Sequence, residues 1–248
     1  MLTEERQKLI LDILEEKGSV EATELMTLLD ASESTIRRDL NAMDEAGLLT
    51  KVHGGAIAKE KSDFVTVDPD LELRRASNPE AKRKIAAYAA SLITDHDFVY
   101  IDAGSTTEMM IDFIECKDVT FVTDAINNAR KLTARGYKTY LLGGEFKSVT
   151  EAIVGEEGIE NLEKYNFTKG FFGTNGVTKK NGFTTPEIKE AMIKKKAMQS
   201  SKDVYMLLDS SKFGSISAIS FNKIDSATII TESCPENFAD LNNIVIVK

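Results

Sequence analysis

The chain has 248 residues, 42% of them hydrophobic, and 31 Lys and Arg stand against 40 Asp and Glu for a net charge of −9. That length accommodates two domains of ordinary globular composition. No apolar run approaches the ~18 residues that span a bilayer, the start MLTEERQ lacks a signal-peptide core, and Cys116 and Cys234 have no metal-ligand spacing around them, so a reduced cytoplasmic setting is expected.

Residues 3–17 carry Leu9, Ile10, Ile13 and Leu14 at helical spacing, and Gly18 ends that helix. Residues 21–29 supply a second short helix through Leu25, Leu28 and Leu29. Ser32 suits the N-cap of a third. On it Ile36, Leu40 and Met43 fall on one face, Ser34, Arg38, Asn41 and Glu45 on the other, and Arg37 on the flank. Gly47 stops the helix. Residues 48–53 read as a strand and Gly54-Gly55 as a tight turn. A solvated Arg pair on a surface helix is the plain alternative. The two preceding helices and the Gly-rich hairpin argue instead for a winged helix-turn-helix over residues 1–57.

In such a domain the start of the third helix enters the major groove. Ser32, Ser34, Thr35, Arg37 and Arg38 are then the candidate DNA contacts there, with Lys51 and His53 against the backbone beside the wing. Residues 1–60 nevertheless carry seven Lys and Arg against thirteen Asp and Glu. Phosphate attraction dominates nonspecific affinity, so positive charge must be gathered locally. Arg37, Arg38, Lys51, His53 and Lys59 are expected on one surface, with the acids of the first helix facing away.

Residues 58–78 are charged and irregular, contain Pro69, and read as a linker with room for a short strand. Asn78-Pro79-Glu80 opens a helix running to about residue 92, with Pro at its first position. Strands are then expected at 98–104, 119–124, 138–144, 169–176, 203–211, 223–231 and 242–248. Helices are expected at 107–114, 126–136, 158–165 and 186–201. Such alternation implies an α/β domain over 79–248, with a mostly parallel, Rossmann-like sheet covered by helices on both faces.

Open sheets of this kind bind ligands beyond the carboxyl ends of their strands. The first such end is Asp102-Ala103-Gly104-Ser105-Thr106-Thr107, a strand-to-helix turn offering hydroxyls and amides to an anion. The others are Thr123-Asp124, Gly143-Gly144-Glu145 with Lys147 and Thr150-Glu151 behind it, Gly173-Thr174-Asn175-Gly176, and Asp209-Ser210-Ser211-Lys212. Plain turns are the alternative reading. Five polar strand ends together suit a sugar phosphate, whose hydroxyls need carboxylate and amide acceptors and whose phosphate needs amides, hydroxyls and a Lys. Glu190 and Lys194, four apart on the long helix, are placed to pair at the rim. No Ser/His/Asp set, HExxH or P-loop is present.

The segments MLTEERQKLIL, STIRRDL, KVHGGA, DAGSTT, YLLGGE, GFTTP and LDSSKFG, in that order, make the chain resemble the DeoR-type bacterial transcription regulators over nearly its whole length. The resemblance implies a sensor domain similar in fold to ribose-5-phosphate isomerase and CoA-transferase domains, with a sugar phosphate as inducer. By it Asp102 and Ser105-Thr106-Thr107 match the phosphate-loop motif, and Asp209 and Lys212 match a D-x-S-K segment. Glu190 and Lys194 match the helix pair after TTP, and Thr35, Arg37 and Arg38 match the DNA-reading residues. Gly104, Thr123, Gly144, Glu145, Glu151 and Asn175 complete the expected ligand set. YIDAGSTTEMM, TEAIVGEE and NGFTTPE look most like repressors of fructose operons, which answer to fructose-1-phosphate. GGEFKSVTEAIVGE and FFGTNGV are also similar to the lactose/tagatose branch, which answers to tagatose-6-phosphate. Asp124 departs from the Asn frequent in relatives and is expected against sugar hydroxyls.

The expected protein is a cytoplasmic repressor of a sugar-catabolic operon, with no catalytic role, metal or cofactor. Its partners would be operator double-stranded DNA, a phosphosugar effector and further copies of itself as a dimer or tetramer, with no membrane. The linker at 58–78 would be the hinge. A sugar-phosphate isomerase using Asp102, Glu145, Asp209 or Glu190 as base is the rival, although it leaves the winged helix idle. An activator would share every motif.

Overall fold

The computed structural model describes residues 3–45, 48–58, 64–65 and 71–248. It divides into two compact units, residues 1–62 and 63–248. The expected helix stop Gly47, the cation Lys59 and Pro69 lie outside the described residues.

The first unit runs α1 (Thr3–Lys17), β1 (Ser19–Glu21), α2 (Ala22–Leu28), α3 (Glu33–Glu45), β2 (Leu49–Val52) and β3 (Gly55–Ala58). Ile10 and Leu14 of α1, Leu25 and Leu29, and Ile36, Leu40 and Met43 of α3 close around one buried core. Leu9 and Leu28, which mark the helical spacing with them, are exposed. The Arg6 guanidinium on α1 grips Asp39 on α3 at 2.5 and 3.2 Å, fixing the two helices together. The three strands form an antiparallel sheet in the order β1-β3-β2. The second helix was expected from residue 21; Glu21 instead ends a strand, Ser19–Glu21, which is the third strand of the wing sheet, with Ser19 opposite Ile57. The unit is a winged helix-turn-helix.

The second unit begins with β4 (Phe64–Val65), α4 (Leu71–Ala76) and α5 (Pro79–Ser91). It continues through β5 (Phe98–Ile101), α6 (Ser105–Met110), β6 (Thr120–Thr123), α7 (Ile126–Ala134) and β7 (Lys138–Leu141). A hairpin of β8 (Glu145–Lys147) and β9 (Ala152–Val154) precedes α8 (Glu156–Glu163) and β10 (Phe167–Gly173). Then come β11 (Gly176–Thr178), β12 (Gly182–Thr185), α9 (Ile188–Gln199) and β13 (Ser201–Leu207). The last strands are β14 (Ile216–Ser217), β15 (Ile219–Asn222), β16 (Thr228–Thr231) and β17 (Ile244–Ile246).

Seven strands make one sheet in the order β17-β16-β13-β10-β5-β6-β7, every neighbouring pair parallel. Because successive side chains of a strand point to opposite faces, the sheet feeds two cores. Val99, Ile101, Phe121 and Phe171 pack on one face under α5, α6 and α7, with Ile85, Met110 and Leu132 above them. Tyr100, Val122, Phe172 and Met206 pack on the other under α8 and α9, against Leu162, Ile193 and Ala197. The result is a doubly wound, three-layer α/β domain. The expected linker 58–78 contains both β4, which pairs in parallel with β14, and the helix α4.

Counted along the sheet from β7, the order runs third, second, first, fourth, fifth, sixth, seventh. The chain therefore winds outward in both directions from the β5–β10 boundary, and a crevice opens there beyond the strand ends.

Candidate ligand cavity and nucleic-acid interface

Ser32 caps α3: its hydroxyl accepts the Thr35 N–H at 3.3 Å. Thr35 is half-buried, with its own hydroxyl 2.9 Å from that of Ser32, while Ser34, Arg37 and Arg38 are exposed. Arg37 is held back along the helix by Glu33, four residues earlier, at 2.6 Å. Lys51 on β2 donates to Asn41 of α3 at 2.6 Å, and its N–H donates to Asp44 at 3.1 Å, so the wing is laced to the recognition helix. His53 and Gly54 form the hairpin turn, and Gly55 already belongs to the return strand. His53 was expected in the strand. The turn instead needs a positive φ at its second residue, which Gly54 supplies at 87°. Among the acids of α1, Asp12 is exposed and the side chains of Glu4, Glu5, Glu15 and Glu16 lie outside the described residues.

The crevice at the β5–β10 boundary holds a cavity of about 190 Å3. This is below the ~300 Å3 typical of drug-sized ligands and suits a small metabolite. Gly104, Ser105, Thr106 and Thr107 line it from the turn after β5, and Asn175 from the end of β10. Asp209 and Lys212 line it beyond β13, and Glu190 and Lys194 from α9. Asp102 lies fully buried and does not itself face the cavity. One of its carboxylate oxygens accepts both the Gly173 N–H at 2.9 Å and the Lys194 ammonium.

Glu190 and Lys194 sit deep in the wall, each more than nine-tenths buried, and not at the rim. They are not directly paired. Lys194 takes Asp102, whereas Glu190 accepts from Lys147 at 3.0 Å, Thr150 at 2.7 Å and Thr185 at 3.2 Å. Burial alone would raise the Glu190 carboxyl, but the charges of Lys194 and Lys147 and the Thr150 hydroxyl outweigh it and hold it below its ordinary value. Burial would likewise lower the Lys194 ammonium, and Asp102, Glu190 and Asp124 together raise it instead. Both groups therefore stay charged.

Thr123, Gly144, Glu145 and Glu151 do not line the cavity. They lie at or beyond the ends of β6 and β7, to one side of the point where the strand order reverses, and the β8–β9 hairpin bridges to the chain just after β6. Ile153 donates to the Asp124 carbonyl at 2.6 Å there. Thr123 is buried, its hydroxyl accepting the Ala125 N–H at 3.1 Å. Gly144 has φ 141°, and a Cβ on it would meet the Val154 carbonyl at 2.8 Å, so its role is backbone fit. Glu145 pairs with Lys189 across a separate shallow cleft. Glu151 accepts from Asn127 and faces Arg75 at 3.8 Å.

Asp124 is buried beneath the hairpin and not in the cavity wall. Burial first, and then the charge of Asp102, push its carboxyl well above its ordinary value. It was expected against sugar hydroxyls.

The residues that sequence reasoning missed are Leu73, Arg74, Ser77 and Lys82, which close the cavity from the segment read as linker and from α5. Arg74 places Nε and Nη2 in buried positions without a hydrogen-bond partner. Lys82 is buried, and its ammonium donates to the Arg74 carbonyl. Burial lowers the Lys82 ammonium; Asp209 opposes this, and Lys212 and Arg74 add to it. Asn78, at φ 49°, turns its amide onto Asp209 at 2.9 Å and joins the start of α5 to the end of β13. The cavity thus offers cations, carboxylates and hydroxyls together, a set that recognises an anionic polyol. Among the described residues no group of three or more His, Cys, Asp or Glu could hold a metal ion. None of the described helices is long and apolar enough to cross a membrane.

Comparison with known proteins agrees with this division. Residues 6–62 match the DeoR-like helix-turn-helix domain and residues 77–233 the DeoR C terminal sensor domain. An uncharacterized HTH-type transcriptional regulator FruR of Bacillus subtilis is 43% identical over 100% of both chains. The HTH-type transcriptional regulator IolR of the same organism is 36% identical over 88% of this chain and 86% of its own. The lactose phosphotransferase system repressor of Streptococcus mutans is 32% identical over 96% and 94%. Among solved structures, ribose 5-phosphate isomerase A of Methanocaldococcus jannaschii matches at a TM-score of 0.42 and 16% identity, over 55% of each chain.

Proposed function

The chain belongs to the DeoR family of transcriptional regulators, and from that premise we propose that it represses a sugar-catabolic operon and releases its operator when a phosphosugar fills the cavity at the β5–β10 boundary. The observation that carries this reading is the composition of that cavity. Arg74, Lys82 and Lys212 gather on one side of it, and the carboxylate of Glu190 and the amide of Asn175 stand in the wall with them. A phosphate needs the former and sugar hydroxyls the latter.

Fructose-1-phosphate is the effector we favour, because the FruR relative matches over the full length. Tagatose-6-phosphate is the second reading, supported by the lactose phosphotransferase system repressors that also match. The winged helix reads operator half-sites through the start of α3, and the protein acts in the cytoplasm as a dimer or tetramer. A coupling of ~1–3 kcal/mol between effector and operator changes affinity roughly 5- to 150-fold.

A thermal-shift screen against sugar phosphates tests the proposal, since a ligand at a hundredfold excess over its dissociation constant stabilises by about 2.7 kcal/mol. A selective rise with fructose-1-phosphate, followed by loss of operator binding at the same concentration, is expected. A rise only with tagatose-6-phosphate moves the protein to the second reading. No rise with any phosphosugar removes the effector assignment.

A further inference from the structure

One wall of the cavity is not part of the sheet at all. It is α4, the short helix between the DNA-binding unit and α5. Its two arginines serve opposite sides. Arg75 faces α6, where Glu108 receives it at 2.9 and 3.1 Å. Arg74 lines the cavity, with Nε and Nη2 buried and without a hydrogen-bond partner. A buried guanidinium N–H lacking an acceptor is costly, and an anion in the cavity supplies one in the planar, two-pronged form that guanidinium prefers.

The lysines on the α9 side of the cavity do not offer this. Lys194 already has Asp102, and Lys147 behind it has Glu187 and Glu190. Around Arg74 the balance is reversed. Lys82 and Lys212 share the same wall, and Asp209, the carboxylate there, is taken up by Asn78 and Ser211. The uncompensated positive charge is concentrated beside α4.

The chain that leads from the DNA-binding unit touches this region twice. Lys82 donates to the Arg74 carbonyl and so holds the backbone of α4. The turn bearing Lys212 leads directly into β14, and β14 pairs with β4, with Ile216 opposite Phe64 and Ser217 opposite Val65. One attachment is made by a cavity cation, Lys82, and the other lies four residues along the chain from a second, Lys212.

We infer that Arg74 is the counter-ion of the effector's phosphate monoester, and that an occupied cavity thereby fixes α4 and the tether leading to the DNA-binding unit. The inference rests on the phosphosugar reading of the cavity and adds to it the residue and the element that transmit occupancy. Arg75 and Lys82 hold α4 through Glu108 and the Arg74 carbonyl, and a bound phosphate adds a bond through the Arg74 guanidinium.

Hydrogen exchange of the full-length protein tests this, with inorganic phosphate and fructose-1-phosphate as separate probes. At a probe concentration ten times its dissociation constant, amides of residues 71–76 are expected to exchange about tenfold more slowly. Arg74→Gln should abolish that slowing, and Arg74→Lys should restore part of it. A variant with wild-type thermal stability in the absence of probe excludes simple misfolding. Slowing by inorganic phosphate with fructose-1-phosphate inert upholds the role of Arg74 and overturns the fructose reading. Stabilisation by either probe with unchanged exchange at 71–76 overturns the role of α4 and leaves the effector reading standing. No effect of either probe, or of tagatose-6-phosphate, on stability or exchange overturns both.

Discussion

Asp102 and Gly173 join the two parallel strands at which the strand order reverses: the Asp102 carboxylate beyond β5 accepts the Gly173 N–H at the end of β10 at 2.9 Å. The same oxygen takes the Lys194 ammonium, and both charged side chains are buried. Asp102→Ala leaves that ammonium without its partner, and breaking a buried pair in this way costs about 3–5 kcal/mol. Urea unfolding of the sensor domain should show the loss. The double variant Asp102→Asn, Lys194→Met should recover most of it, because exchanging a whole buried pair for neutral groups is close to neutral. Equal losses in the single and double variants would refute the pairing.

Arg38 is exposed on α3 and makes no ion pair among the described residues, whereas Arg37 is occupied by Glu33. Arg38→Ala should therefore weaken operator binding by about 1–3 kcal/mol and relax the preference at one base position. Fluorescence anisotropy on operator and scrambled duplexes measures both. An unchanged ratio of the two affinities would move the reading face elsewhere.

The Glu33–Arg37 pair is exposed, so it adds little to stability. Its expected effect is on DNA binding, where the carboxylate would compete with phosphate for Arg37 and repel the backbone. Glu33→Gln should tighten operator binding, and the plot of log affinity against log salt should steepen by about 0.9 as one more phosphate is neutralised. A parallel plot with the wild-type slope would show that Arg37 stays off the DNA.

Asp124 has a folded-state pKa raised by burial and by Asp102. A group raised in this sense contributes stability that is complete below its unfolded value of about 3.9 and is lost as pH rises through the folded value. Asp124→Asn keeps the shape and never ionises. It should match the wild type at about pH 4 and exceed it at about pH 8, the gap growing in between. Urea midpoints at the two pH values decide; an equal difference at both would mean that Asp124 carries no ionisation cost.

The winged helix was legible because its signals are local. Ile36, Leu40 and Met43 mark the buried face of α3, and Ser32 its cap, within one short stretch. The alternation of strand and helix likewise announced the parallel sheet. The short antiparallel pieces were not visible: β8, β9 and β11 are three residues each, too few for a periodicity. The cavity was partly legible. Every polar strand end looks equivalent along the chain, but strand order decides which ends meet. Those of β5, β10 and β13 do, while Thr123 and Glu145 fall beyond the wrong strands. Arg74 was missed because a charged segment before a helix looks like solvated linker, and Lys82 because a Lys in the first turns of a helix looks solvated. Only the fold folds them over the switch point.

The pairing pattern has a consequence for how the chain is made. In the first unit Ser19 meets Ile57, so its sheet is complete before sixty residues have left the ribosome. The sensor sheet cannot close so early: its central strand β10 needs Val99 on one side and Tyr205 on the other. Non-local parallel pairings of this sort form slowly, and domains fold as units from the N-terminus during synthesis. The DNA-binding head should therefore be folded on the nascent chain well before any effector can be sensed, and newly made protein passes through an interval in which it has a head and no sensor.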